Sequence, residues 1–114
     1  MSRSVRAYLL HIRDEADVLI RFSQGVDKDT FLRDEMLTRS FVRCLEIIGE
    51  ATKNLPDSLR AKYPAVPWRQ MAGMRDKLIH EYFGVNYDLV WDVVINEIPV
   101  LYKQVYVILE EVED

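Results

Sequence analysis

Apolar residues recur at intervals of three and four along most of this chain, the spacing of helices that bury one face. Ser4 can cap a first helix in which Val5, Tyr8, Leu9, Ile12, Ala16 and Leu19 share a stripe, and Gly25 lies where it should end. A second helix is predicted from about 29 or 30 to 54, with Leu37, Phe41, Cys44, Leu45, Ile48, Ala51 and Leu55 on its apolar side. Glu35, Arg39, Arg43, Glu46, Glu50 and Lys53 gather on the opposite stripe, which reads as a solvated face laced with pairs such as Glu35 to Arg39. Residues 55–64 allow one or two helical turns, opened by Pro56 and closed before Pro64. Pro67 suits the first turn of a helix over about 68–83, and Gly84 is a natural left-handed stop. Asn86 can cap a last helix running through Leu89, Trp91, Val94 and Ile95 to Val107 and Leu109. Pro99 must kink or break it, because it removes a donor and crowds Ile95. The prediction is an all-α, up-and-down bundle of four main helices plus a short one, forming a single domain over 1–114.

The helix predicted over 68–83 carries an anomaly. At about 100° per residue, Trp68, Met71, Ala72, Met74, Leu78, Ile79, Tyr82 and Phe83 span one broad apolar face, and Arg75 falls inside it. A guanidinium cannot shed its charge there, so it must snorkel, pair with a carboxylate, or line a cleft that solvent or an anion reaches. On the same wheel His80 lies about 140° from Arg75, so the two do not share a face, whereas Tyr82 returns to within about 20° of it. Asp76, one turn before His80, can lie beside the imidazole and orient it. Trp68, Met71, Met74 and Trp91 read as core or dimer-interface positions.

Composition narrows the possibilities. Cys44 is the only cysteine in 114 residues, which leaves no internal disulfide and no multi-thiolate metal site. The amino-terminal stretch lacks the apolar core of a signal peptide, and no segment approaches the roughly 18 apolar residues of a membrane span. A soluble, cytoplasmic protein without membrane contacts is expected. Fifteen Lys plus Arg against 19 Asp plus Glu give a net charge of -4, so any contact with nucleic acid must be local rather than driven by a global basic field. With no Gly-rich phosphate loop or metal-ligand cluster, no cofactor or metal is expected.

The string RDKLIHEY, with its pattern Arg-polar-x3-His-x-Tyr, resembles the signature of HEPN ribonucleases. The longer string PWRQMAGMRDKLIHEYFGVNYDLVW and the upstream LEIIGEATKNLP are similar to the HepT-like toxin branch of that superfamily, so the resemblance covers most of the chain. It implies a bundle that pairs as a homodimer, placing two Arg-His motifs in one cleft that cuts RNA without a metal. It also implies His80 as the proton-transfer residue, Arg75 as phosphate binder and transition-state stabiliser, and Asp76 as the group orienting His80. His11, the second histidine, matches nothing in the motif. HepT-like toxins resemble partners of minimal nucleotidyltransferase antitoxins that adenylylate the motif tyrosine, here Tyr82, and such bulk and charge beside Arg75 would block an RNA phosphate. Arg69 and Lys77 are further candidate phosphate contacts. The alternative is a non-catalytic helical binding partner or substrate of such a nucleotidyltransferase.

Overall fold

The computed structural model describes residues 4–80 and 84–112, except for the side chains of residues 79 and 80. Helix α1 spans Val5–Ser23; the Ser4 hydroxyl accepts from the Ala7 amide at 3.1 Å, and Leu9, Ile12, Ala16 and Leu19 are buried along one side. Gly25 turns the chain away with φ +72, a left-handed backbone that glycine adopts without strain.

The predicted second helix is two helices, α2 (Lys28–Arg33) and α3 (Glu35–Lys53). The cause is a pair of aspartates. Asp27 accepts from the Thr30 amide at 2.8 Å and Asp34 from the Leu37 amide at 3.0 Å, so each carboxylate starts a helix, and the second does so where the apolar periodicity continues unbroken. Phe31 of α2 is fully buried, with its ring centroid 5.1 Å from both Phe41 and Trp91. Helix α4 (Asp57–Lys62) lies within the short helix expected over 55–64.

The helix predicted over 68–83 is also corrected. It divides into α5 (Trp68–Ala72) and α6 (Met74–Leu78) at Gly73, and the chain then extends through β1 (Ile79–His80) and β2 (Gly84–Val85). These pair antiparallel, Ile79 with Val85 and His80 with Gly84. Glycine is a poor helix interior residue, and the Leu78 carbonyl, which another turn would have used, instead accepts from the Asn86 amide at 2.9 Å. Gly84, at φ +74, lies in the left-handed region that permits a tight reversal.

Asn86 caps α7 (Tyr87–Asn96) through the Leu89 amide, and α8 runs over Ile98–Glu111 with Pro99 in its first turn. The predicted interruption therefore falls at Glu97, two residues before the proline, where the missing N–H has no helical partner to lose.

Buried side chains from α1, α3, α7 and α8 form one core cluster, with α1 packed most extensively on α3 and α8. The all-α prediction holds. Among the described residues, no helix is long and apolar enough to cross a membrane.

One contact fixes α5 and α6 on α3. A Cβ placed on Gly49 would meet the Met71 carbonyl oxygen at 3.0 Å, with the Ala72 carbonyl at 3.7 Å and Met74 Cβ at 3.8 Å behind it. Gly49→Ala would gain roughly 0.5–1 kcal/mol of helix propensity. It must also push a backbone carbonyl aside, an overpacking that costs about 1–3 kcal/mol. We expect urea unfolding to show a net loss of about 1–2 kcal/mol for Gly49→Ala. A variant as stable as the wild type would mean that α3 and α5 are not packed this closely.

Candidate active site

A cleft of about 500 Å³ opens between α1, α3 and α6. Tyr8 and His11, one turn apart on α1, form one wall. The other comes from α3, where Arg43, Glu46, Ile47, Glu50, Ala51 and Asn54 recur every three or four residues, and Arg75 of α6 completes the lining. Part of the stripe that reads as a solvated face in the sequence is therefore a cleft wall. The Glu35–Arg39 pair of that stripe, lying outside the cleft, does form, at 3.0 Å.

Arg75 is not embedded in an apolar face. Once the helical frame breaks at Gly73, Trp68 and Met71 are buried by α5 while Met74 and Leu78 are buried by α6. Arg75, about 100° from Met74 on α6, falls to the flank of the buried pair and leaves its side chain 63% exposed. Its partner is Glu46 of α3, with 3.5 Å between Nε and Oε2, an ion pair too long for a strong hydrogen bond. The guanidinium is thus positioned at the cleft with most of its donor capacity open to solvent.

The other residues singled out by sequence lie along the same segment. Arg69, Asp76 and Lys77 are exposed. His80 belongs to β1, beyond the last helical residue, so its relation to Arg75 and Asp76 is not that of an ideal helix. The 140° separation inferred for Arg75 and His80, and the one-turn stacking inferred for Asp76 and His80, both lose their helical basis. Tyr82 and the imidazole of His80 lie outside the described residues.

Sequence reasoning missed Tyr8, His11, Arg43, Glu46, Glu50 and Asn54 as site residues. Their positions on α1 and α3 follow from periodicity, but their convergence depends on how α1, α3 and α6 pack, which no single-helix pattern encodes. Cys44, on the same helix as the cleft wall, is buried, and its thiol is pushed up to about 12, first by burial and then by the neighbouring charge of Glu15. It stays protonated at neutral pH and is no nucleophile.

The molecule is a helical bundle with an open cleft of mixed charge, at which Arg75 is exposed and loosely held. The family described as "Ribonuclease HepT-like" matches residues 12–108. Among relatives, a protein of Caldanaerobacter subterraneus subsp. tengcongensis named "Putative RNase" is 54% identical over 109 residues, covering 96% of this chain and 97% of its own length. Another of that description, from Methanocaldococcus jannaschii, is 45% identical over 111 residues, with 97% and 92% covered. A protein of Thermococcus cleftensis named "Probable ribonuclease HepT" is 43% identical over 101 residues, with 89% and 92% covered. The chain belongs to the HepT-like ribonuclease family, as the strings around Arg75 and Glu50 imply. No solved structure matches it significantly.

The Glu46–Arg75 pair is exposed enough that solvent screens most of its attraction. A double-mutant cycle with Glu46→Gln and Arg75→Gln should return a coupling of no more than about 1 kcal/mol, smaller still at high salt. A coupling of several kcal/mol would show that Arg75 is locked to Glu46 rather than available to a ligand.

Proposed function

We propose that this chain is the toxin of a toxin–antitoxin pair, an endoribonuclease acting as a homodimer with Arg75 at its cleavage site. In this reading a nucleotidyltransferase antitoxin restrains it by adenylylating Tyr82. The observation that carries the proposal is the state of Arg75: exposed, weakly paired and set beside a cleft, in a chain of a ribonuclease family. Such a guanidinium can exchange Glu46 for a phosphate at little cost, whereas a purely structural arginine would be spent on its partner.

The chemistry is internal transfer. The 2'-oxygen attacks the adjacent phosphorus, the bond from phosphorus to the 5'-oxygen breaks, and the products are a 2',3'-cyclic phosphate and a 5'-hydroxyl. One group takes the 2'-hydroxyl proton and another delivers a proton to the leaving 5'-oxygen. His80 performs one of these transfers, Asp76 orients it, and Arg75 neutralises charge on the phosphorane, so side chains supply what a metal would otherwise supply. Arg69 and Lys77, exposed on α5 and α6, extend the phosphate track. With a net charge of -4, the chain must bind RNA through such a local cluster, and the interaction should weaken with salt. Pairing of two copies is what the resemblance to the HepT-like family implies.

Purified protein incubated with RNA in the presence of EDTA should yield cyclic-phosphate and 5'-hydroxyl ends. Arg75→Ala and His80→Ala should each lower the rate by roughly 10²–10³-fold while leaving the fold intact by circular dichroism. Variants that cut like the wild type would remove these residues from the mechanism. Absence of cleavage by the wild type would leave only the alternative of a non-catalytic partner of the nucleotidyltransferase.

A further inference from the structure

We infer that the cleft beside Arg75 holds the base of the nucleotide adjoining the scissile phosphate, a guanine stacked on Tyr8 and hydrogen-bonded through its donor edge to Glu50. The inference rests on the ribonuclease reading above and deepens it, from RNA as a substrate class to the base that sets where RNA is cut. In a paired molecule each copy brings such a subsite to the shared cleft.

The lining combines a flat apolar surface with a polar edge. Tyr8, half-buried on α1, and Ile47 and Ala51 of α3 supply the apolar part, and Glu50, Asn54 and Arg75 are among the polar groups around it. At about 500 Å³ the cleft falls in the range of about 300–1,000 Å³ common to small-ligand sites. A planar base with a polar edge, carried next to an anionic phosphate, matches that lining. The groups are also arranged in order along the cleft. Arg75 meets Glu46, Glu50 lies about one turn further along α3, and Asn54 about one turn beyond that. Glu15 of α1 stands beside Cys44 of α3. Tyr8 precedes Glu15 by about two turns and Ala51 follows Cys44 by about two, and both line the cleft, so the ring stands at its Glu50–Asn54 end. A phosphate on Arg75 therefore leaves its nucleotide about one turn of α3 in which to bring the base against Tyr8.

What that end of the cleft offers a base is acceptors. Among the described residues the Glu50 carboxylate forms no ion pair, whereas Glu46 is engaged by Arg75. The Asn54 amide nitrogen donates to the Glu50 carbonyl at 2.9 Å, and its Oδ1 stays open as a second acceptor. A carboxylate accepts two hydrogen bonds side by side, and guanine sets two donors together, N1–H and the N2 amino group. Adenine and cytosine place one amino group beside an acceptor nitrogen, and uracil flanks its single N–H with two carbonyls that a carboxylate repels. The larger face of a purine also stacks more strongly on a tyrosine ring.

The test uses fluorescently labelled oligouridylates carrying one guanosine or one inosine at the centre, inosine lacking only the N2 amino group. The wild type should cut the guanosine strand mainly at a phosphate adjoining that nucleotide, and the inosine strand roughly tenfold more slowly there. Glu50→Gln, which keeps the shape but replaces one acceptor with a donor, should cut both at equal rates. Tyr8→Leu should raise KM roughly tenfold or more with little change in kcat, and Tyr8→Trp should restore KM, which a ring needed only for packing would not allow. The same strands made with 2'-O-methyl sugars, followed by fluorescence anisotropy, should bind in the same order of preference. Cutting spread evenly along the uridine tract, or equal wild-type rates for guanosine and inosine, overturns the inference and leaves the ribonuclease reading in place. Absence of cleavage with the guanosine strand still bound most tightly ends the ribonuclease reading alone, and absence of cleavage with no such preference ends both.

Discussion

The close approach of α3 to the turn between α5 and α6 at Gly49 is the constraint on which the site depends. A hydrogen in place of a side chain lets the Met71 carbonyl come to within 3.0 Å of where a Cβ would stand, so two backbones meet there without an intervening layer of side chains. Helix α6 follows at once and buries Met74 and Leu78, which holds it against α3. Glu46, almost one turn before Gly49, then lies beside Arg75, and the cleft opens between that pair and the Tyr8–His11 wall of α1. A bulkier residue at position 49 would shift α5 and α6 together, and the guanidinium with them.

What the cleft offers is availability rather than strength. The exposed pair between Arg75 and Glu46 contributes little to stability, and for that reason it can be broken by a competing anion. The carboxylates of Glu46 and Glu50 in the same lining keep the cleft from being a simple basic patch, in keeping with a net charge of -4. In the proposed function, a polyanion meets this surface in a register that puts a phosphate on the arginine, because other registers place it against carboxylates. Selective placement of the scissile phosphate, rather than general affinity for nucleic acid, is what such a charge pattern favours.

The long helices were legible in the sequence because each has a single physical author: α1 follows from the Ser4 cap and its stripe, and the interruption of the last helix from Pro99. Where two signals competed, periodicity concealed the result. Apolar spacing continues past Asp34, but a carboxylate that can cap a new helix prevailed, giving α2 and α3. It continues past Leu78 as well, but Gly73 had already divided α5 from α6, and α6 stops where the Asn86 amide takes the Leu78 carbonyl. Reading 68–83 as one helix set Arg75 inside a broad apolar face and gave it a helical angle to His80 that the chain, extended at β1, does not keep. The family was nonetheless legible in the RDKLIHEY segment, because a short motif survives an error in the backbone drawn through it. The contribution of α1 was not visible, since His11 becomes a neighbour of Arg75's cleft only through tertiary packing.

The most direct measurement is the binding site of an RNA that cannot be cut. A short oligonucleotide carrying 2'-O-methyl groups lacks the attacking hydroxyl but keeps its phosphates, so it can be titrated into the isotopically labelled protein and followed by amide chemical shifts. If RNA is cleaved where Arg75 stands, the shifts should cluster on Tyr8, His11, Arg43, Glu46, Glu50 and Arg75 and should vanish at high salt. Shifts confined to the apolar surface of α8 around Val107, with the cleft unperturbed, would contradict that assignment.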